Sequence, residues 1–310
     1  MSEQRWLVTG AGGFIGSRVC RLLAKRGEDF IGTLLPKQEP PSNDNPWPVD
    51  CFRPIDLRDG NSIEKVLREV EPTFILNLAA IGVVWTGQES LDDLIRINVI
   101  LPGLLAQRMG EHSILIQAGS QYQYLSSPTP LEEDTSPLVG GDPYCWSKIA
   151  VEGLLGVLKS RAVIRTRIFA TAGPNEPPSR LLPGIVRAWA TGTTVALTDC
   201  AQIRDLLHVD DVAAALVSLA IDRSLAGSVV NIGRGEGRSV RWMAEHAANR
   251  LGCIQLLQFG ARARRTGEGE HLVANVSRLR SIGFEPQRTI EQSVDDVVDE
   301  LARQFRVAQV

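Results

Sequence analysis

Two residue patterns in this chain could carry chemistry. The first is Tyr144-Cys145-Trp146-Ser147-Lys148, a tyrosine and a lysine four positions apart, which a helix would stack on one face. A free phenol has a pKa of about 10, so only about one in a thousand is ionised at neutral pH. A neighbouring ammonium favours the phenolate and is expected to lower that pKa. The pair could then move a proton to or from an alcohol oxygen while a hydride moves at carbon. The second pattern is Val8-Thr9-Gly10-Ala11-Gly12-Gly13-Phe14-Ile15-Gly16, with Gly10, Gly13 and Gly16 in G-x-x-G-x-x-G spacing. Such a turn brings backbone N–H groups and a helix N-terminus up to a pyrophosphate, and lets the helix pack closely on a sheet. A lone Y-x-x-x-K is also what an ordinary surface pair looks like, so its meaning depends on its surroundings.

The elements that must position these residues alternate. Strand-like runs are expected at Arg5–Thr9, Asp29–Thr33, Cys51–Ile55, Thr73–Leu78, Ser113–Ala118 and Ala162–Phe169. Helical spacing is expected over Phe14–Arg26, Ser62–Val70, Leu91–Met109, about Asp142–Ser160 and near Glu291–Val307. This alternation predicts an α/β fold, a doubly wound parallel sheet of Rossmann type with a smaller C-terminal α/β part. The prolines at 36, 40, 41, 46, 48 and 54 predict a long loop, and those at 174, 177, 178 and 183 an exit from the sheet. Residues 1–170 with about 203–233 are expected to form the cofactor domain, and about 171–202 with 234–310 the substrate domain.

Composition narrows the options. A 310-residue chain with 44% hydrophobic and 22% charged residues can bury a substantial core. A net charge of −3 gives no field for a polyanion, so no nucleic-acid partner is expected. No apolar run is long enough to span a membrane, and no leader precedes the first strand. Five scattered cysteines without C-x-x-C, and four scattered histidines, predict reduced thiols, a cytoplasmic location and no metal. The 3 tyrosines all fall in two short segments, at 122, 124 and 144.

The second strand should end with the group that reads the adenosine ribose. An acidic residue there would hold the 2′-hydroxyl of NAD. Gly32-Thr33-Leu34-Leu35-Pro36-Lys37 has none, which leans toward NADP(H) over NAD(H), with Lys37 either on the 2′-phosphate or a solvated loop lysine. Asp56 and Leu57 follow the third strand, where a carboxylate can accept from the adenine amino group. Leu78, Ala79 and Ala80 end the fourth, small enough for a cofactor to lie against the sheet edge.

The glycine turn, Asp56-Leu57-Arg58-Asp59, Asn77-Leu78-Ala79-Ala80, Asn98, Ser120 and Tyr144-x-x-x-Lys148 occur in an order and spacing that resemble the extended short-chain dehydrogenases/reductases, specifically their nucleotide-sugar epimerase, dehydratase and reductase group. Arg204-Asp205-Leu206-Leu207-His208-Val209-Asp210-Asp211-Val212 and Asn231-Ile232-Gly233 extend the resemblance over nearly the whole chain. The resemblance implies that Tyr144 is the general acid or base, that Lys148 holds the nicotinamide ribose and tunes Tyr144, and that Ser120 bonds the reacting oxygen. It implies cofactor contacts from Gly10, Gly13, Phe14, Ile15, Gly16, Asp56, Leu57, Leu78, Ala79, Ala80 and Phe169. Asn98 adds a physical point. Pro102 has no N–H to offer its carbonyl, which could hold a proton-relaying water or mark a simple kink.

Family dehydratases carry Asp-Glu after the catalytic Ser/Thr, whereas this chain has Gln121-Tyr122, both expected at the sugar. That argues against elimination of water. The resemblance leans toward reductases of 4-keto-6-deoxyhexose nucleotides, with a nucleotide-sugar 4-epimerase as the rival, and a non-catalytic cofactor sensor as a rival of another class. Ala170 stands where the family commonly has an Asn on the substrate. Arg204 and Arg265 are expected on the substrate diphosphate and Glu268 near its ribose, although the basic run at Arg262, Arg264 and Arg265 could equally be a solvated loop. The apolar surfaces of 142–160 and Leu91–Met109 are expected to form a homodimer contact.

Overall fold

The computed structural model describes residues 4–41, 47–83, 88, 90–158, 162–264 and 268–307. The first half runs β1 (Arg5–Thr9), α1 (Phe14–Arg26), β2 (Asp29–Leu34), β3 (Phe52–Pro54), α2 (Gly60–Val70) and β4 (Phe74–Asn77). Then come α3 (Leu91–Ile95), a π turn (Arg96–Ile100), α4 (Leu101–Arg108), β5 (Ile114–Ser120), α5 (Pro143–Val157) and β6 (Ala162–Ile168). The remainder is β7 (Ala170–Ala172), α6 (Leu181–Thr191), β8 (Val195–Ala196), β9 (Ile203–His208), α7 (Val209–Asp222) and β10 (Val229–Ile232). It closes with β11 (Gly237–Ser239), α8 (Val240–Leu251), β12 (Leu257–Gln258), β13 (His271–Leu272), α9 (Ser277–Ser281) and α10 (Ile290–Val307).

Seven strands form one parallel sheet in the order β3-β2-β1-β4-β5-β6-β10. The order reverses between β1 and β4, which opens the crevice where such sheets take ligands. The strands read as unbroken apolar runs because both faces are covered: Trp6, Leu7, Val8, Ile75, Leu76, Ile114, Leu115, Ile116 and Ile164 are all fully buried. α1 and α7 cover one face and α2, α4 and α5 the other. α1 stops where Gly27 enters the left-handed region at φ 70, with its N–H on the Ala24 carbonyl and the Glu28 N–H on that of Leu23.

Two expectations are revised. Residues 203–233 do not return to the main sheet as a block. β9 is the centre of a small mixed sheet with β7, β11 and β13, and only α7 and β10 join the main sheet. Asp205 fastens the small sheet to neighbouring loops, accepting from the N–H groups of Arg234 at 2.7 Å, Gly235 at 2.8 Å and Ala274 at 3.2 Å. The long helix over Leu91–Met109 is also not regular. It widens into the π turn around Asn98, where the Leu101 N–H bonds the Arg96 carbonyl five residues back. The cause is chemical, because Pro102 cannot donate to the turn before it, and π turns absorb such interruptions.

Candidate functional site

The glycine turn is built by exclusion. Gly10 has φ +68, and a Cβ there would stand 2.8 Å from the Ala79 nitrogen. A Cβ on Gly16 would stand 2.1 Å from the Gly10 carbonyl oxygen. Neither position admits a side chain, so α1 begins tight against β1 with its first N–H groups facing the crevice. Gly13, the N-cap, makes no side-chain cap, and no acidic residue occupies the first turn. The cradle therefore fits a pyrophosphate, which would supply the missing acceptors. Thr9 supports it, its hydroxyl donating to Asn77 Oδ1 at 2.5 Å and accepting from the Ala79 N–H at 3.3 Å.

Tyr144, Lys148, Ser120 and Asn98 converge at the carboxyl ends of β5 and β6. Asp142 caps α5 by accepting the Cys145 N–H at 2.8 Å, with Pro143 in the first turn. That start sets Tyr144 and Lys148 inward. Both are buried, with Lys148 Nζ 5.6 Å from the Tyr144 ring centroid. Lys148 donates to the Ala118 carbonyl at 2.9 Å. Ser120 Oγ accepts from the Tyr122 N–H at 3.3 Å and stands close enough to the Tyr144 hydroxyl to draw its pKa down. Asn98 acts through its side chain. Its amide nitrogen donates to Ser147 Oγ and to the Ile81 carbonyl, each at 3.0 Å, and its oxygen accepts the Ile81 N–H at 3.1 Å. It thus ties the π turn to α5 beside Lys148.

The electrostatics correct one expectation. Burial pushes the Tyr144 hydroxyl far above its ordinary value, against the pull of the Ser120 hydrogen bond and the positive charge of Arg180. Burial also lowers Lys148 to about 8. The predicted lowering of Tyr144 by Lys148 is therefore overridden, since desolvation of each group opposes its charged form. Tyr144 is a protonated phenol at neutral pH.

The outer residues divide. Leu78, Ala79 and Ala80 line the crevice beside Gly10, and Phe14 and Ile15 open α1, all partly exposed. Leu57 is buried, and Phe169 packs on Tyr124 with ring centroids 6.1 Å apart. Asp56 lies at the sheet edge, held at about 2 by Arg58, which it binds through both oxygens. These residues join Asp59, Asp93 and Arg96 around an open hollow of about 410 Å³, which Tyr144 and Lys148 do not line. Lys37 is exposed in a left-handed turn at φ 71. Gln121 is buried and its Oε1 has no partner, an acceptor suited to a ligand hydroxyl or N–H. Tyr122 is 44% exposed. Tyr124 is not at the surface of the site but buried, donating to Asn231 Oδ1 at 2.8 Å. Arg204 and Glu268 come together at 3.3 Å, with Gln202 donating to the same carboxylate oxygen at 3.0 Å. Arg264 is paired with Asp199 and Glu270. Arg265 lies outside the described residues.

Sequence reasoning missed three features. Gln38 folds its amide over Gly12, at the place where the ribose-reading group was sought, and its acceptance of the Leu35 N–H at 3.1 Å holds that turn. Arg180 reaches from the start of α6 onto Phe14, 5.5 Å from the ring centroid, while donating to the Thr171 carbonyl at 2.9 Å. Its neighbour Glu176 is buried, has an unpartnered Oε2, and is raised by burial to about 7. The third is a buried polar cluster, Gln123, Glu152 and Arg167, behind Ser120. The S-x-x-Q spacing of a capping box at Ser120–Gln123 was the one local signal for it. Among the described residues no group of three or more His, Cys, Asp and Glu side chains could hold a metal, and no helix is long and apolar enough to cross a membrane.

Comparison with known proteins gives a consistent result. The family model described as "NAD dependent epimerase/dehydratase family" matches residues 6–233. The chain is 26% identical to a GDP-6-deoxy-D-mannose reductase of Pseudomonas aeruginosa, covering 98% of this chain and 99% of that one. It is 24% identical to a dTDP-glucose 4,6-dehydratase of Xanthomonas campestris, covering 95% and 92%. Among solved structures it resembles a Thermus thermophilus UDP-glucose 4-epimerase in complex with NAD, with TM-score 0.84, 25% identity, and coverage of 96% and 99%.

Proposed function

Because this chain belongs to the NAD dependent epimerase/dehydratase family, we propose that it is an NAD(P)-dependent oxidoreductase acting on a nucleotide-linked sugar, and that it reduces the 4-keto group of a 4-keto-6-deoxyhexose nucleotide. The observation that carries this reading is the placement of Tyr144, a buried phenol facing Ser120 with Lys148 Nζ 5.6 Å from its ring, in surroundings that favour its protonated form. Carbonyl reduction needs a proton donor in that form. A bound nicotinamide supplies the hydride. Tyr144 gives its proton to the carbonyl oxygen as the C=O π bond opens. The Ser120 hydroxyl, which accepts from Tyr122, keeps its own hydrogen for that same oxygen. The Lys148 cation, 5.6 Å from the ring, favours the phenolate left behind. Gln121 offers its unpartnered oxygen to a sugar hydroxyl. Gln121-Tyr122 supplies no carboxylate for eliminating water.

Gly10, Gly13 and Gly16 would hold the cofactor pyrophosphate. The absence of a carboxylate at the end of β2 favours NADP(H) over NAD(H), with Lys37 at the 2′-phosphate. In this reading residues 1–170 with α7 and β10 hold the cofactor, and β7, β9 and the chain from 234 to 310 the sugar nucleotide, with Arg204, Arg265 and Glu268 at its nucleotide end. The chain works as a homodimer through α3, the π turn after it and α5, whose outer faces expose Leu91, Ile95, Ile100, Leu154 and Val157. Its five buried, free cysteines suit a reducing cytoplasm.

A 4-epimerase would use the same tyrosine with a retained NAD, and the likeness to an NAD-complexed epimerase favours that second reading. Tyr144→Phe tests the shared core of both. Turnover should fall by about 10²–10⁴-fold while cofactor affinity stays within about twofold. Full turnover in that variant would overturn the assignment.

A further inference from the structure

Three side chains of α5, one every four residues, each attach to the end of β5. Tyr144 faces Ser120, Lys148 donates to the Ala118 carbonyl, and Glu152 accepts from Gln123. The first two belong to the reacting group. The third, Glu152, is partly buried and bonds Gln123 and Arg167 instead. Gln123 is fully buried and folds back on its own turn, its Oε1 accepting the Ser120 N–H at 2.8 Å. Its Nε2 donates to Glu152 Oε2 at 2.8 Å. Arg167, from β6, grips the same carboxylate. Its Nε donates to Oε2 at 2.9 Å and its Nη2 pairs with Oε1. Arg167 is itself held by the Glu133 carbonyl at 3.1 Å and lies 4.5 Å over the Tyr124 ring.

A second observation shows that the chain is built for this contact. Gly119 has no room for a side chain. A Cβ there would stand 2.5 Å from Gln123 Oε1 and 2.2 Å from the Thr166 carbonyl oxygen. Only glycine lets Gln123 reach back to Ser120.

We propose that Gln123 and Glu152 are positioning residues, which hold the Ser120 turn against α5 so that the Ser120 hydroxyl keeps its place beside the Tyr144 hydroxyl. The geometry gives the reason. A single contact between Ser120 and Tyr144 would leave the turn free to swing about it. The Gln123–Glu152 contact, two helical turns further along α5, removes that freedom. Arg167 prevents Glu152 from following Gln123 into another rotamer, because the bidentate pair fixes the carboxylate plane. The inference rests on the reading in which Ser120 and Tyr144 hold the reacting oxygen.

The test is Gln123→Met, which keeps length and burial and removes both hydrogen bonds, in the full-length protein. Its crystal structure should show the fold intact and the Ser120 hydroxyl withdrawn from Tyr144. Its kcat should fall about 10–100-fold with KM and cofactor affinity within about twofold. A Gln123→Met structure with the Ser120–Tyr144 contact unchanged overturns the proposal, as does unchanged kcat beside an inactive Tyr144→Phe. If Tyr144→Phe is itself fully active, the functional reading fails instead, and the Ser120–Tyr144 contact in the Gln123→Met structure still decides the positioning claim.

Discussion

Lys148 concentrates the conflict between stability and function in one side chain. It is fully buried beside a phenol, and burial brings it down to about 8 from an ordinary value near 10.5. A base whose folded pKa is lowered carries its burial penalty in full below the folded value. Stability then rises with pH between the two, here from about 8 to 10.5. Lys148→Met should therefore stabilise the fold at pH 7, by up to about 3 kcal/mol, since the shift converts at about 1.4 kcal/mol per pKa unit. The Ala118 carbonyl would keep its bond from Gln117 Nε2 at 2.9 Å. Turnover would be lost, and urea unfolding at pH 7 and 10 would show the difference shrinking at the higher pH. Glu176 has the mirror-image behaviour. Raised to about 7 by burial, it contributes stability present below about 4.5 and lost as pH rises through 7. Glu176→Gln should remove that loss, so its stability relative to the parent grows between pH 5 and pH 8. A constant difference across that range would contradict the assigned burial. Neither behaviour could be read from the sequence. Tyr144 and Lys148 were visible by spacing, but burial sets their protonation, and burial depends on strands far away in the chain.

Glycines separate two kinds of backbone demand among the elements. Gly16 opens α1 against β1 and leaves 2.1 Å between a would-be Cβ and the Gly10 carbonyl oxygen. Gly16→Ala must displace the turn, at a cost of about 1–3 kcal/mol and most of the cofactor affinity. Gly184, inside α6, has nothing within 4 Å of its would-be Cβ. Gly184→Ala should stabilise by about 0.5–1 kcal/mol through helix propensity alone, read as a raised Tm with unchanged activity. The strands and helices of the first half were legible because each follows a short apolar run or a capped amphipathic stretch. The π turn was not. Pro102 announced an interruption, but the choice between kink and widened turn was made by Asn98, which reaches both Ile81 and Ser147. The Arg167–Glu152 pair escaped for a similar reason. It joins β6 to α5 across 15 residues, and its partners on the Ser120 turn lie further still along the chain. Breaking that buried pair from one side should cost about 3–5 kcal/mol, so Glu152→Ala is expected to unfold at markedly lower denaturant than Gln123→Met.

At the scale of the whole molecule, the parallel sheet brings the ends of β1, β4, β5 and β6 to one edge, where the cofactor turn, Ser120 and α5 meet. The later part of the chain reaches the start of α1, where Arg180, at the head of α6, lies over the Phe14 ring. That division misled the reading of residues 203–233, because β9 runs straight into α7, which does cover the main sheet, while itself pairing with β7, β11 and β13. The exposed apolar residues of α3, the π turn and α5 make a further prediction. The protein should scatter light as a dimer at micromolar concentration, and Val157→Asp with Leu154→Asp should yield a folded monomer. The central claim, that a protonated Tyr144 serves reduction of a keto sugar, is tested most directly by one measurement on the purified protein. Its bound cofactor is extracted and identified, and the same preparation is assayed for NADPH consumption with a panel of 4-keto-6-deoxyhexose nucleotides. Exchangeable cofactor and NADPH consumption on one of those ketosugars, absent in Tyr144→Phe, is the predicted result. Tightly retained NAD with no NADPH consumed on any of them would contradict it.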